Sequence, residues 1–325
     1  MRLPAAETLL GRTPLILLRT IADDSPHRIW GKCEFLNPAG SLKDRIAHHI
    51  IGRATAAGLL TPGRTTLVEA TGGNTGVALA AAAGNSFEVI VTMTDKMSVE
   101  KMGLLEAWGA DVVVCPYQAP PEDPEHFISR AEAISRQIDD AYYVDQFRNP
   151  WNREAHALTT GPEIWDATGA TLGAFIAGAG TGGTISGAGG FLRAMNAKVD
   201  VVLADPVGSL LGQVFRGEQP DPRPYLVEGI GGDFVPELLD LSTITHVQEI
   251  SDADTVTTCL ALQRDEGLFV GGSSGCAVAA AVRYARSLED PGPPRDIVVM
   301  LGDSGDRAVS TIYSSSWRNA HGFDP

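Results

Sequence analysis

The run Asn37-Pro38-Ala39-Gly40-Ser41-Leu42-Lys43-Asp44-Arg45 decides how the rest of the chain is read. Asn-Pro-Ala-Gly is turn chemistry and stops a strand-like run over 29–35. Ser41 reads as a helix N-cap, Asp44 suits the first turn, and Ile46, Ile50 and Ile51 give the helix an apolar side. Lys43 then stands in the first helical turn, at the positive end of the aligned peptide dipoles. A further cation is disfavoured there, so a neutral, nucleophilic amine becomes easier to reach. On this segment alone a solvated lysine on an exposed helix stays open.

Working outward, apolar strand-like runs cover 13–18, 65–69, 87–93, 111–115, 142–144, 172–177, 199–204 and 297–301. Helical patterns cover 74–83, 99–108, 124–138, 151–167, a stretch after Gly183, 253–266 and 274–288. Such alternation predicts an α/β fold with parallel sheets covered by helices on both faces. Ligands in these folds collect at the carboxyl ends of strands. Two small parallel-sheet domains are expected rather than one sheet of about ten strands or more. Arg148-Asn149-Pro150 interrupts the rhythm and sets the boundary near 146–151.

The 325 residues are enough for two domains, and 44% hydrophobic with 20% charged residues describes a globular protein. A net charge of −15 argues against nucleic-acid or anionic-membrane partners. It does not bear on a small anion, which responds to local donors. Cys33, Cys115, Cys259 and Cys276 are far apart, without metal-ligand spacing, so no metal site and no disulfide framework are expected. The first residues show no cationic start followed by an apolar core, and no apolar run approaches the ~20 residues of a membrane span. A cytoplasmic protein is the expectation.

Two glycine-rich segments follow strand-like runs and open helices. In Gly178-Ala-Gly-Thr-Gly-Gly-Thr184 the backbone can approach a ligand closely, and successive amides form an anion cradle. Its Gly178-x-Gly180-x-x-Gly183 spacing also fits a dinucleotide fingerprint, with Asp205 placed where a ribose-binding acid belongs. Thr181 and Thr184 add hydroxyls that suit a terminal phosphate, and Pro206 makes Asp205 equally a turn residue. In Thr71-Gly72-Gly73-Asn74-Thr75-Gly76, amides and hydroxyls suit a carboxylate without a cationic side chain. An ordinary glycine turn remains the plain alternative for both. Gly271-Gly-Ser273-Ser274-Gly offers a hydroxyl for a ring nitrogen, or simply a cap for the following helix.

With these motifs in this order, the chain resembles the fold-type II pyridoxal-phosphate enzymes, specifically the cysteine synthase and cystathionine β-synthase family. The likeness runs from Gly11-Arg-Thr-Pro-Leu15 to Gly302-Asp-Ser304. It implies two three-layer domains built like the tryptophan synthase β subunit. Residues 1–42 plus 147–325 would form a larger cofactor-binding domain, and 43–146 a smaller mobile one carrying the carboxylate loop. It further implies that Lys43 holds pyridoxal 5'-phosphate as a Schiff base and that Asn74 touches its ring hydroxyl. Gly180, Thr181, Gly182, Gly183 and Thr184 would hold the phosphate, and Ser273 would face the ring nitrogen. Thr71, Gly72, Gly73, Thr75, Gln146 and Gly229 would line the substrate site.

Within the family, Lys32-Cys-Glu-Phe35, Asp95-Lys-Met-Ser-Val-Glu-Lys101 and Val227-Glu-Gly-Ile-Gly-Gly-Asp-Phe234 look closer to the cystathionine β-synthase catalytic core. Glu228 matches an acid thought to handle the serine hydroxyl. Gly72 stands where a serine is usual and Gly232 where a tyrosine is usual, which leaves the acceptor open. The implied reaction is β-replacement on L-serine or an O-activated L-serine, through an aminoacrylate, with a thiol or sulfide adding. A nitrogen nucleophile, as in a diaminopropionate-type synthase, and serine or threonine deamination are the near alternatives. An NAD-binding oxidoreductase is the alternative from another class. A homodimer is the family expectation.

Overall fold

Apolar residues on both sides of short strands build two separate sheets in the computed structural model, which describes residues 9–22, 24–120, 122–288 and 293–323. The N-terminal stretch read above for a leader lies outside them. Strands β1 (Leu15–Leu17), β2 (Arg28–Cys33), β7 (Leu172–Gly178), β8 (Asp200–Pro206), β9 (His246–Ile250) and β10 (Asp296–Leu301) form a six-stranded sheet in the order β1-β2-β10-β7-β8-β9. Strands β3 (Thr66–Ala70), β4 (Glu88–Thr94), β5 (Asp111–Cys115) and β6 (Ala141–Tyr143) form a four-stranded sheet in the order β5-β4-β3-β6.

The register shows why both faces are apolar. In β3 and β4, Leu67, Val89 and Val91 pack under helices α1 (Lys43–Ala56), α2 (Asn74–Ala83) and α3 (Val99–Ala107). Val68 and Ile90, one residue out of phase, pack on the other face against Ala131 of α4 (Phe127–Gln137). The larger sheet repeats the arrangement. Ile176, Val202 and Val299 face α10 (Gly272–Ser287), whereas Phe175, Val201 and Val298 face α7 (Gly183–Met195).

The sequence predicts parallel sheets; β1 pairs antiparallel to β2, while the other pairings are parallel. The stretch 18–27 between these two strands is too short to carry a crossover helix. The strand β9 is not legible in the sequence, where His246 and Glu249 break the apolar run; it sits at the sheet edge and is only partly buried. The single helix expected over 151–167 is α5 (Pro150–Ala155), a π-turn over His156–Thr160 and α6 (Gly161–Thr168). Pro162 in the first turn of α6 cannot donate to the preceding turn, and the ladder widens ahead of it. Short helices α8 (Leu211–Phe215) and α11 (Ser315–His321) and the longer α9 (Asp252–Asp265) complete the set.

This topology places four junctions side by side. The carboxyl ends of β3, β7 and β10 and the amino ends of α1, α2, α7 and α10 border one cavity.

Candidate active site

The cavity has a volume of about 930 Å³ and gathers most of the residues that the motifs single out. Lys43, Thr71, Gly72, Asn74, Thr75, Gln146, Gly180, Thr181, Gly182, Thr184, Glu228, Gly229 and Ser273 all line it. Gly73 and Gly183 do not. Gly73 supplies backbone instead: its φ of +125° turns the chain into α2, and a Cβ there would lie 2.9 Å from Lys101 Cδ. Gly183 lets α7 pass close to Asn152, since a Cβ would stand 2.0 Å from its Oδ1.

Lys43 is the first residue of α1. Ser41 is not its N-cap; Leu42 occupies that position, while Ser41 bridges to Asp303 one residue earlier. The Ser41 hydroxyl nevertheless accepts from Lys43 N–H at 3.2 Å, and the Asp44 carboxylate accepts from Ala39 N–H at 2.5 Å and Ser41 N–H at 3.1 Å. The turn is therefore closed by Asp44 reaching backwards. Burial pushes the Lys43 amine down to about 8, against the opposing pull of Asp303. A neutral amine is within reach at ordinary pH.

The phosphate-type loop carries no cationic side chain over 178–184. Its donors are the amides of the first turn of α7, of which Gly183 N–H makes only a long 3.4 Å bond to Thr181 Oγ1, and two hydroxyls. A Cβ on Gly180 would meet the Gly229 carbonyl oxygen at 2.5 Å, so only glycine fits where the loop passes that backbone. Two buried side chains that the sequence did not single out hold the hydroxyls. Asn152 Nδ2 donates to Thr181 Oγ1 at 2.9 Å and to the Gln146 carbonyl at 2.8 Å. His156, on the π-turn, lies 3.1 Å from Thr184 Oγ1 through Nε2 and 2.9 Å from Thr160 Oγ1 through Nδ1. Burial, then the charges of Arg45 and Lys43, hold the His156 ring well below its ordinary pKa, so it is neutral. With the Thr181 oxygen already accepting from Asn152, its proton is left for an anion in the cavity.

The carboxylate-type loop is braced from behind. Thr75 Oγ1 donates to Gln146 Oε1 at 2.6 Å, and Gln146 Nε2 donates to the Ala70 carbonyl at 2.8 Å. The Gln146 amide donates to Glu69 at 3.2 Å. Glu69 is fully buried, and burial pushes its carboxyl well above the usual range.

Of the two adjacent serines, Ser273 lines the cavity and Ser274 does not. Ser274 accepts from Gly302 N–H at 2.9 Å and is buried; neither hydroxyl caps α10. The Asn74 amide, expected to be free for a ligand, is shared between Asp303 and Arg307. Glu228 is bonded to Lys101, which reaches across from α3 and is itself buried. Neither Lys101 nor Arg307 stands out in the sequence, because nothing local marks a long cation that folds inward. The wall also contains the apolar and aromatic side chains of Met97, Phe147, Tyr225 and Phe234.

Asp205 is absent from that wall. Its carboxyl is fully buried, accepts from Gly212 N–H at 2.8 Å and is raised to about 6 by burial. The ribose-binding reading of this acid is therefore corrected: it ties β8 to α8.

An amine of lowered basicity, an uncharged anion cradle and a facing hydroxyl thus share one chamber. These are the groups that a phosphorylated pyridine aldehyde needs. The comparisons agree with that fit. The sequence matches the family of pyridoxal-phosphate dependent enzymes over residues 6–303. It is 39% identical over 324 residues to a cystathionine beta-synthase of Apis mellifera, covering 99% of this chain and 63% of that protein. It is 39% identical over 321 residues to the Saccharomyces cerevisiae cystathionine beta-synthase, covering 95% of this chain and 62% of that protein. A probable cysteine synthase of Bacillus subtilis is 38% identical over 307 residues, covering 93% of this chain and 95% of that protein. The chain spans about three fifths of the length of the cystathionine beta-synthases it matches.

Proposed function

Since the chain belongs to the pyridoxal-phosphate dependent enzymes, we propose that it catalyses β-replacement on L-serine or an O-activated L-serine with a sulfur nucleophile. The names of its cystathionine beta-synthase and cysteine synthase relatives support this reaction class. The observation that carries the reading is Lys43, whose amine is pushed down to about 8 inside the cavity that also holds both glycine loops.

Pyridoxal phosphate, when bound, draws charge from the α-carbon of an attached amino acid, so that its α-proton becomes acidic and its β-substituent can leave. The chain's own groups do the rest. Lys43 would hold the cofactor through its amine and, when that amine is free, would take the α-proton as general base. Gly180, Thr181, Gly182 and Thr184 hold the phosphate, and Gly183 gives the amide of the first turn. Thr71, Gly72, Thr75 and Gln146 fix the α-carboxylate and hence which α-bond stands perpendicular to the ring, a positioning contribution. Ser273, which lines the cavity, would give the ring nitrogen a neutral hydroxyl partner. Glu228 would hand a proton to the departing hydroxyl, with the Lys101 ammonium bonded to it as the proton's source. The smaller sheet with α2 to α4 would close over the reactants and exclude water, and the assembly would be a homodimer.

The test is incubation of the purified protein with serine, O-acetylserine or O-phosphoserine and a series of thiols, sulfide and amines, followed by mass spectrometry. A thioether or thiol amino-acid product is expected. Product only with amines, or only a keto acid without a second reactant, would overturn the sulfur assignment. Borohydride trapping of the cofactor on Lys43, lost in Lys43→Ala, checks the lysine separately.

A further inference from the structure

Beside Lys43 the cavity wall contains Asp303, and close behind the wall lies Arg307, two oppositely charged residues that the reaction outlined above does not use. Asp303 follows β10; it is 7% exposed, and its carbonyl accepts from Gly271 N–H at 3.1 Å. Arg307 lies in the next turn and is 5% exposed. They make no ion pair with each other; the Asn74 side chain stands between them. Asn74 Nδ2 donates to Asp303 Oδ2 at 2.7 Å. On its other side Arg307 Nη1 donates to Asn74 Oδ1, and Nη2 donates to the Ala39 carbonyl in the turn before Lys43.

This sandwich settles which way the amide points. With oxygen toward the guanidinium and nitrogen toward the carboxylate, both contacts are attractive. A flip would set NH2 against the guanidinium and oxygen against the carboxylate, two repulsive contacts in a poorly solvated place. Asn74 therefore keeps one N–H uncommitted, and it is a donor, in a side chain that lines the cavity. Both charged residues are built in. A Cβ on Gly271 would stand 2.1 Å from Asp303 Oδ1, and one on Gly40 would stand 3.0 Å from Arg307 Nη2. Asp303 Oδ1 and Arg307 Nε have no hydrogen-bond partner among the described residues.

We propose that Asp303 and Arg307 are positioning residues that lock the Asn74 amide as a donor toward the ring oxygen of lysine-bound pyridoxal phosphate, holding that oxygen as the anion. This rests on the cofactor reading and names two residues through which it is tuned. Arg307 adds a mechanical link, since the same guanidinium grips the turn that delivers Lys43. Asp303 adds an electrostatic one, since its charge opposes loss of the proton from the Lys43 amine.

The experiment is a pH titration of the visible absorption of the holoenzyme in Asp303→Asn, Arg307→Met, Arg307→Lys and Asn74→Ala, with Asp303→Asn repeated in the Asn74→Ala background. Asp303→Asn and Arg307→Met are expected to shift the absorption toward the neutral ring-oxygen form and to move the midpoint by about one pH unit, a tenfold change in proton affinity. Arg307→Lys should restore most of the native spectrum. In the Asn74→Ala background Asp303→Asn should shift the midpoint by clearly less, because the amide it orients is gone and only its own charge near Lys43 is left to lose. An unchanged spectrum in Asp303→Asn, or an equal shift with and without Asn74, overturns the proposal. Should Asp303→Asn not fold, the Arg307→Met and Arg307→Lys pair decides: a native spectrum in the methionine variant, or no rescue by lysine, overturns it as well. If the wild type shows no visible band and no borohydride adduct, the cofactor reading has failed instead.

Discussion

Arg45 grips Glu34 with two hydrogen bonds, of 2.6 and 2.8 Å, two residues beyond Lys43. The same guanidinium donates to both oxygens of Glu163 at 2.8 and 2.7 Å, and Lys32 Nζ donates to Glu163 at 2.6 Å. Thr13 and Asn37 fill further positions on Glu34. Burial alone would raise the Glu163 carboxyl, but the Arg45 and Lys32 bonds bring it down to about 2. The first turn of α1 is thus bolted to β2 and α6, and Lys43 has little freedom to move away from the phosphate-type loop.

Glu34→Gln should therefore cost about 3–5 kcal/mol in urea unfolding, because it removes one partner of a pair with 2% and 0% side-chain exposure and leaves the other's charge short of its partner. Cofactor affinity should fall with it, since the turn that carries Lys43 loosens. A loss below about 1 kcal/mol, the worth of a surface pair, would show the network to be dispensable.

The lowered Lys43 amine carries a signature in the cofactor-free protein. Below about 8 the amine is protonated in both folded and unfolded states, and the folded state bears the burial penalty. Between about 8 and the ordinary 10.5 the unfolded chain binds the extra proton, so stability rises with pH. Lys43→Met has no such group. Its melting temperature should exceed the wild type's at pH 7–8, and the gap should narrow as pH climbs toward 10.5. A gap that does not change with pH would place the Lys43 amine in water.

Gly180→Ala should damage the anion cradle more than the fold. Its Cβ would press on the Gly229 carbonyl at 2.5 Å, and backbone must shift to relieve it. A loss of about 1–3 kcal/mol of stability is expected, with weaker retention of cofactor on dialysis. Wild-type retention would mean that the loop does not hold the phosphate.

Glu228→Gln should slow turnover of serine by about 10²-fold and of O-acetylserine much less, because only departing hydroxide needs a proton. Lys101→Met should act in the same direction, and the double variant should fall short of the sum by about 0.5–3 kcal/mol, the coupling of residues in contact. Equal losses with both donors would remove the preference for serine.

How much was legible follows from the range of the signals. Apolar runs alternating with helical patterns and turn residues sufficed for most of the parallel strands and helices, because both faces of these sheets are buried and each strand reads as a near-continuous apolar run. The strand β9 escaped because His246 and Glu249 break its apolar run at the partly buried sheet edge, and the π-turn escaped because His156 and Thr160 look like ordinary helix residues. Ser41 misled for a local reason: the Asp44 carboxylate already bonds the Ala39 and Ser41 amides, and the helix begins one residue later than a serine cap predicts.

The sequence by itself determined the α/β alternation, the two glycine loops at strand ends and a lysine poised at a helix start, each read from short contiguous runs. Only the tertiary structure decided that Asn74 is pinned between Asp303 and Arg307, that Lys101 is bonded to Glu228, and that His156 and Asn152 hold the loop hydroxyls. Those pairs join residues far apart in the chain, and a hydrogen bond depends on distance and angle, which no local pattern encodes.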